Sequence, residues 1–140
     1  MDNTQQKVLI IEDSALLRAV VREALESEGF VVTEAPNGKE GLAVALAAHP
    51  DLIMLDLMMP VMGGIEMHGL LRQDAWGATV PVIILTGTKD EKIGPMLSAD
   101  PHLDFLLKEN WMMDEVVMKV KKGLGMDVVI EHVKRGLGMA

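Results

Sequence analysis

Four apolar runs of this chain each end in a group that can do chemistry. Val8-Leu9-Ile10-Ile11 runs into Glu12-Asp13, Leu52-Ile53-Met54-Leu55 into Asp56, Val82-Ile83-Ile84-Leu85 into Thr86, and Phe105-Leu106-Leu107 into Lys108. If the runs lie parallel in one sheet, these ends share one edge. Three carboxylates packed together repel unless a cation or a proton intervenes. An all-oxygen set favours a hard divalent ion, and Mg²⁺ with several retained waters is the natural choice. Thr86 and Lys108 add a donor and a positive charge, which suit a bound anion such as a phosphoryl group. An aspartate beside Mg²⁺ and a lysine is equipped as a nucleophile toward a phosphoryl donor. Each residue alone reads equally well as a polar strand end or the start of a turn. The chemical reading rests on all of them converging.

The elements that must position them follow from the pattern around the runs. The Asp56 run, flanked by Pro50-Asp51 and Met59-Pro60, reads as a strand buried on both faces. Ser14 is placed to cap a helix whose Leu17, Val20, Val21, Ala24 and Leu25 recur at helical spacing, and Gly29 stops it. Phe30 to Ala35 reads as a strand, and its Thr33 and Glu34 suit a sheet edge. Pro36-Asn37-Gly38 turns the chain into a helix from about Lys39 to Ala48, ended by His49-Pro50. A further helix is expected from Gly64 to Gln73, with Met67, Leu70 and Leu71 inward, and a last one from about Asp114. Strands alternating with helices imply a parallel sheet covered on both faces, an α/β fold in a single domain.

Composition narrows the function classes. A chain of 140 residues that is 49% hydrophobic buries a real core and is not disordered. It has no cysteine, which excludes a disulfide framework and thiol chemistry. The opening residues lack a basic-then-apolar signal pattern, and no run approaches the roughly 18 apolar residues of a membrane span, so a cytoplasmic protein without membrane contact is expected. A net charge of −8 argues against direct DNA binding, because phosphate contact demands clustered Lys and Arg. His49, His68, His102 and His132 share no ligand spacing and read as surface residues, not a zinc site.

With Glu12-Asp13, Asp56 followed by Met59-Pro60 and Gly63-Gly64, Thr86, Phe105 and Lys108 in this order, the chain resembles the receiver domains of two-component response regulators from residue 7 to about 124. The resemblance implies a flavodoxin-like, doubly wound sheet of five strands in the order 2-1-3-4-5. It implies that Asp56 takes a phosphoryl group from a histidine kinase or a phosphotransfer protein. It further implies that Glu12, Asp13, Asp56 and the backbone carbonyl of Met58 hold Mg²⁺, and that Lys108 pairs with the phosphoryl oxygens. Thr86 would move to hydrogen-bond them, with Phe105 following inward. Such a protein is a phosphoacceptor in a phosphorelay and no enzyme beyond self-catalysed phosphorylation and dephosphorylation.

Two departures from the family qualify the resemblance. Glu109 stands after Lys108 where receivers usually carry a cis proline. A cis bond to a non-proline residue costs about 2.5–4 kcal/mol, so this peptide is expected trans, with Lys108 still pointing at Asp56. Between Thr86 and Phe105, Gly94-Pro95 and Asp100-Pro101 interrupt what is normally a regular helix, so a helix that is short, late-starting at Pro95, or irregular is expected. The segment 87–107 together with the last helix, out to residue 124, is the expected output face, for a downstream protein or a second copy. Residues 1–126 read as the domain and 127–140 as a short helix or linker, since Val116 to Met126 is echoed by Val129 to Met139. The alternatives are a receiver fragment of a larger regulator or hybrid kinase, and an aspartyl-phosphate phosphatase. The phosphatase class would place a second aspartate two residues after the nucleophile, where this chain has Met58.

Overall fold

Apolar runs that lack alternation need cover on both faces, and the fold supplies it. The computed structural model describes residues 5–87, 90–108 and 112–126. They form β1 (Lys7–Ile11), α1 (Ala15–Glu26), β2 (Val31–Ala35), α2 (Gly38–Ala48), β3 (Leu52–Asp56), α3 (Gly64–Arg72), β4 (Val82–Thr86), α4 (Ile93–Ala99), β5 (Leu103–Leu107) and α5 (Met113–Gly123). The strands pair in parallel in the order β2-β1-β3-β4-β5, as the resemblance implied. Alternate residues of each strand enter opposite halves of the core. Val8, Ile10, Met54 and Ile83 pack with Leu25 of α1 and Val116 and Val120 of α5. Leu9, Ile11, Ile53, Leu55 and Ile84 pack with Ala45 of α2, Met67 and Leu71 of α3 and Ile93 of α4. Each fully buried side chain of this size contributes about 1.5–3 kcal/mol.

Local chemistry sets the helix ends. The Ser14 hydroxyl accepts the Leu17 N–H at 3.2 Å, and Asn37 Oδ1 accepts the Glu40 N–H at 2.9 Å while its Nδ2 donates back to Glu40. Gly64 opens α3 because no side chain fits there: a Cβ would lie 2.4 Å from the Asp56 carbonyl oxygen. Gly29, at φ +93, ends α1 in a conformation that other residues rarely adopt.

Two boundaries differ from expectation. The helix α4 is short, as one of the expected alternatives had it, but its seven residues start at Ile93 and not at Pro95. Pro95 is its third residue, where an N–H would have had no helical partner, so the ring costs little. Asp100 ends the helix and Pro101 follows. The fifth strand begins at Leu103, two residues before its apolar run, because half-buried Asp104 sits inside it and holds Lys119 Nζ at 2.9 and 3.1 Å. The 127–140 extension lies outside the described residues. Among the described residues no helix is long and apolar enough to cross a membrane.

One polar cluster fastens α4 to α3 at the sheet edge remote from Asp56. Asp100 Oδ2 contacts His68 Nε2 at 2.8 Å and accepts from Arg72 Nε at 2.9 Å, and Arg72 Nη1 reaches the Gly77 and Val80 carbonyls. His68 is therefore not a surface residue; its side chain is 13% exposed, and its partner is 32 positions away. Burial pushes the Asp100 carboxyl up, but hydrogen bonds from His68, the His102 N–H and Arg72 outweigh it and hold the pKa below the ordinary range. Asp100→Ala is expected to cost about 3–5 kcal/mol in urea denaturation at neutral pH, as for other broken buried pairs. The loss should shrink at acid pH, since a depressed carboxylate pKa contributes stability above its unfolded value that disappears as pH falls through the folded one.

Candidate functional site

Parallel pairing carries the carboxyl ends of β1, β3, β4 and β5 to one edge. Ile11 faces Leu55, Asp56 faces Leu85, and Thr86 faces Leu107. Glu12 and Asp13 follow β1 directly, so one oxygen each from Glu12, Asp13 and Asp56 lies within 4.8 Å of the others. Glu12 is 1% and Asp56 3% exposed, whereas Asp13 faces solvent. Lys108 Nζ lies 3.1 Å from Asp56 Oδ1 and 2.6 Å from Glu12 Oε1. The expected direction of Lys108 is met, and its closer contact with Glu12 was not foreseen. The Lys108–Glu109 peptide lies outside the described residues.

Burial pushes the Asp56 carboxyl above the ordinary carboxylate value, and Lys108 only partly reverses this. Glu12 is raised for the same reason, against the pull of Lys108 and the Ser14 N–H. Asp13 is lowered, first by its hydrogen bond with Glu12. Burial alone would lower Lys108, but Glu12 and Asp56 outweigh it and hold the ammonium charged. Three carboxylates against one ammonium leave two negative charges uncompensated. Glu12 Oε1 is buried, and the Lys108 ammonium meets it at 2.6 Å. An all-oxygen cluster with surplus negative charge fits a hard divalent ion.

The remaining expected residues surround this cluster. Met58 is 74% exposed, and its N–H donates to Asp56 Oδ1 at 3.3 Å. Thr86 closes β4 and is 4% exposed. Phe105 pairs with Ile84 in the sheet, is partly buried, and carries Lys119 Nζ 5.7 Å from its ring centre. It lines a cavity of about 430 Å³ with Asp90, Glu91, Ile93, Gly94 and Leu97. The loop after Asp56 is strained. The Met62 N–H donates to the Pro60 carbonyl at 2.8 Å, which closes a three-residue turn on Val61 at φ +70. A β-branched residue there costs roughly 1–3 kcal/mol. The Gly38 N–H donates to the Met62 carbonyl at 3.0 Å and holds the loop to α2.

Residues 8–121 match the family model described as the response regulator receiver domain. The chain is 37% identical over 122 residues to the transcriptional regulatory protein ResD of Bacillus subtilis, covering 86% of this chain and 49% of ResD. It thus spans about half of that relative's length. Among solved structures, the chemotaxis response regulator CheY4 of Vibrio cholerae superimposes with a TM-score of 0.78 at 29% identity, covering 86% of this chain and 100% of CheY4. The response regulator TrrA of Thermotoga maritima, solved in complex with Mg(2+)-BeF, gives a TM-score of 0.75 at 28% identity, with the same 86% and 100% coverage.

Proposed function

Since the chain belongs to the response regulator receiver-domain family, we propose that Asp56 is its phosphoacceptor in a two-component phosphorelay, charged by a histidine kinase or a phosphotransfer protein. Receiver domains are signalling phosphoacceptors and not enzymes in the ordinary sense. One observation carries the assignment to Asp56: it is a buried carboxylate at a strand end, flanked by Glu12 and Asp13 and touched by the Lys108 ammonium. Glu12, Asp13, Asp56 and the Met58 carbonyl are the residues that would hold Mg²⁺, and the Mg(2+)-BeF complex of TrrA supports that reading. Bound there, the ion supplies charge neutralisation for the carboxylates and for the incoming phosphoryl oxygens.

The chain's own residues have distinct parts. Asp56 attacks phosphorus in line with the leaving group, and its new O–P bond replaces the bond to the donor nitrogen or oxygen. Lys108 exchanges part of its contact with Asp56 for a phosphoryl oxygen. The Thr86 hydroxyl, at the end of the neighbouring strand, donates to another.

Gating follows from what lies behind Thr86. The Thr86 side chain moving toward Asp56 leaves room for Phe105 to turn inward from its partly buried position. Ile93, Met96 and Leu97 are the apolar anchors of α4, and only Ile93 is fully buried. The Asp100 cluster pins the C-terminal end of α4, but its N-terminal part is held by these few apolar contacts and opens at low free energy, so a ligand with differential affinity shifts its population. The face formed by residues 87–124 is therefore the output surface, for a downstream protein, a second copy, or a further domain where the receiver is part of a longer regulator. In hydrogen exchange with Mg²⁺ and beryllofluoride, residues 87–107 are expected to gain protection of about tenfold or more, the scale of a 1.4 kcal/mol population shift. Protection changes confined to residues 36–50 would place the output elsewhere.

A further inference from the structure

We propose that Arg18 is a positioning residue of the acidic pair: it fixes the Glu12–Asp13 peptide in the geometry that takes up Mg²⁺, and so sets metal affinity and not the chemistry at Asp56. The inference rests on the metal role proposed for Glu12 and Asp13. It starts from an oddity of the sequence, the charged Glu34 inside β2. Glu34 stands opposite Ile10, two positions before Glu12, on the sheet's edge strand.

Arg18 spans the gap between these two acidic residues. Its Nε donates to Glu34 Oε1 at 2.8 Å and its Nη1 to the backbone carbonyl of Glu12 at 2.5 Å. The side chain is only 16% exposed. Glu34 is braced in turn, since its Oε2 accepts from Arg22 Nη1 at 2.7 Å, and Arg22 Nε pairs with Glu26 at 3.0 Å. Two further polar groups of Glu12 are also engaged: its N–H donates to the Ala35 carbonyl at 3.1 Å, and its Oε2 accepts the Ser14 N–H at 3.0 Å.

Asp13 itself faces solvent, so the direction of its carboxylate depends on the peptide planes on either side. Ser14 fixes one by capping α1. The other is the plane whose carbonyl Arg18 holds. A rotation of that plane swings Asp13 away from Glu12 and Asp56. Only a guanidinium reaches both partners at once, because its donors form a rigid fork that a lysine lacks. Residues that orient metal ligands in this way typically change metal affinity by about 10–100-fold when removed.

The sign of the effect separates positioning from plain electrostatics. Arg18 is a cation near a cation site, so its charge alone disfavours Mg²⁺, and on electrostatics alone its loss would tighten binding. Positioning predicts the reverse. Isothermal titration with Mg²⁺ at fixed ionic strength, on wild type, Arg18→Lys, Arg18→Met and Asp13→Asn, reads the sign. Both Arg18 variants are expected to bind about tenfold more weakly than wild type, while phosphorylation by acetyl phosphate at saturating Mg²⁺ stays within about twofold. Arg18→Lys keeps the charge and guards against a Met variant that fails to fold; melting curves without Mg²⁺ report any general loss of stability. Arg18→Lys binding within about twofold of wild type, tighter binding by Arg18→Met, or a rate loss at unchanged affinity would overturn the proposal. Wild type that binds no Mg²⁺, or Asp13→Asn that binds as well as wild type, would instead remove the metal reading beneath it and the proposal with it.

Discussion

Asp56→Asn is expected to take up no phosphoryl group from acetyl phosphate, whereas the wild-type chain in Mg²⁺ gains one, read by intact mass. The effect is all-or-none because the amide has no carboxylate oxygen to form the acyl-phosphate bond. Lys108→Ala should keep the acceptor but slow its phosphorylation by about 10²–10³-fold, the usual loss when one preorganised donor to a developing charge is removed. The two variants are coupled and not additive, since Lys108 holds Asp56 at 3.1 Å as well as Glu12 at 2.6 Å. Chelation of Mg²⁺ should abolish the wild-type reaction, because a phosphoryl dianion must otherwise approach three carboxylates facing one ammonium. Modification that persists in Asp56→Asn, or that needs no metal, would refute the assignment of Asp56. Rapid catalytic turnover of the donor would point back to the phosphatase class, which the absence of an acid at Met58 disfavours.

The residues of the cluster were legible in the sequence because each sits at the end of a buried strand. A strand covered on both faces writes itself as a run of Val, Ile, Leu and Met, and the first polar residue after the run marks the sheet edge. That rule located Glu12, Asp13, Asp56, Thr86 and Lys108 before any coordinate. It failed at β5, where Asp104 interrupts the run and is tolerated only because Lys119 reaches it from α5. It also missed what long side chains do sideways. Nothing in the spacing says that Lys108 touches Glu12 more closely than Asp56, that Arg18 holds the Glu12 carbonyl, or that His68 finds Asp100. Such contacts depend on the reach of one side chain across a tertiary interface, and periodicity carries no record of them.

The same crowding makes the site a burden on the fold. Removing the Asp56 charge is expected to stabilise the metal-free domain at neutral pH by about 1–3 kcal/mol, because it relieves one of three carboxylates that face a single ammonium, and each unit by which a carboxyl pKa is raised is about 1.4 kcal/mol. Asp56 is 3% exposed, and burial raises its carboxyl above the ordinary 3.8. A raised folded pKa means that the folded state holds the proton more tightly than the unfolded chain. The resulting stability is fully present below the unfolded value and is lost as pH rises through the folded one. Wild type should therefore fall behind Asp56→Asn across that window and stay behind at pH 7. The amide leaves Lys108 paired with Glu12, so no new orphan charge offsets the gain. Lys108→Ala should act in the opposite direction, by about 3–5 kcal/mol, because it strands buried carboxylates without a counter-charge. Mg²⁺ should narrow the first gap, since a ligand at a hundred times its dissociation constant adds about 2.7 kcal/mol to the protein that binds it. Urea denaturation of wild type, Asp56→Asn and Lys108→Ala, with and without Mg²⁺, measures all three terms. If Asp56→Asn were less stable than wild type at pH 7 without metal, Asp56 would be a stabilising partner of Lys108 and not a carboxylate held at a cost for its reactivity.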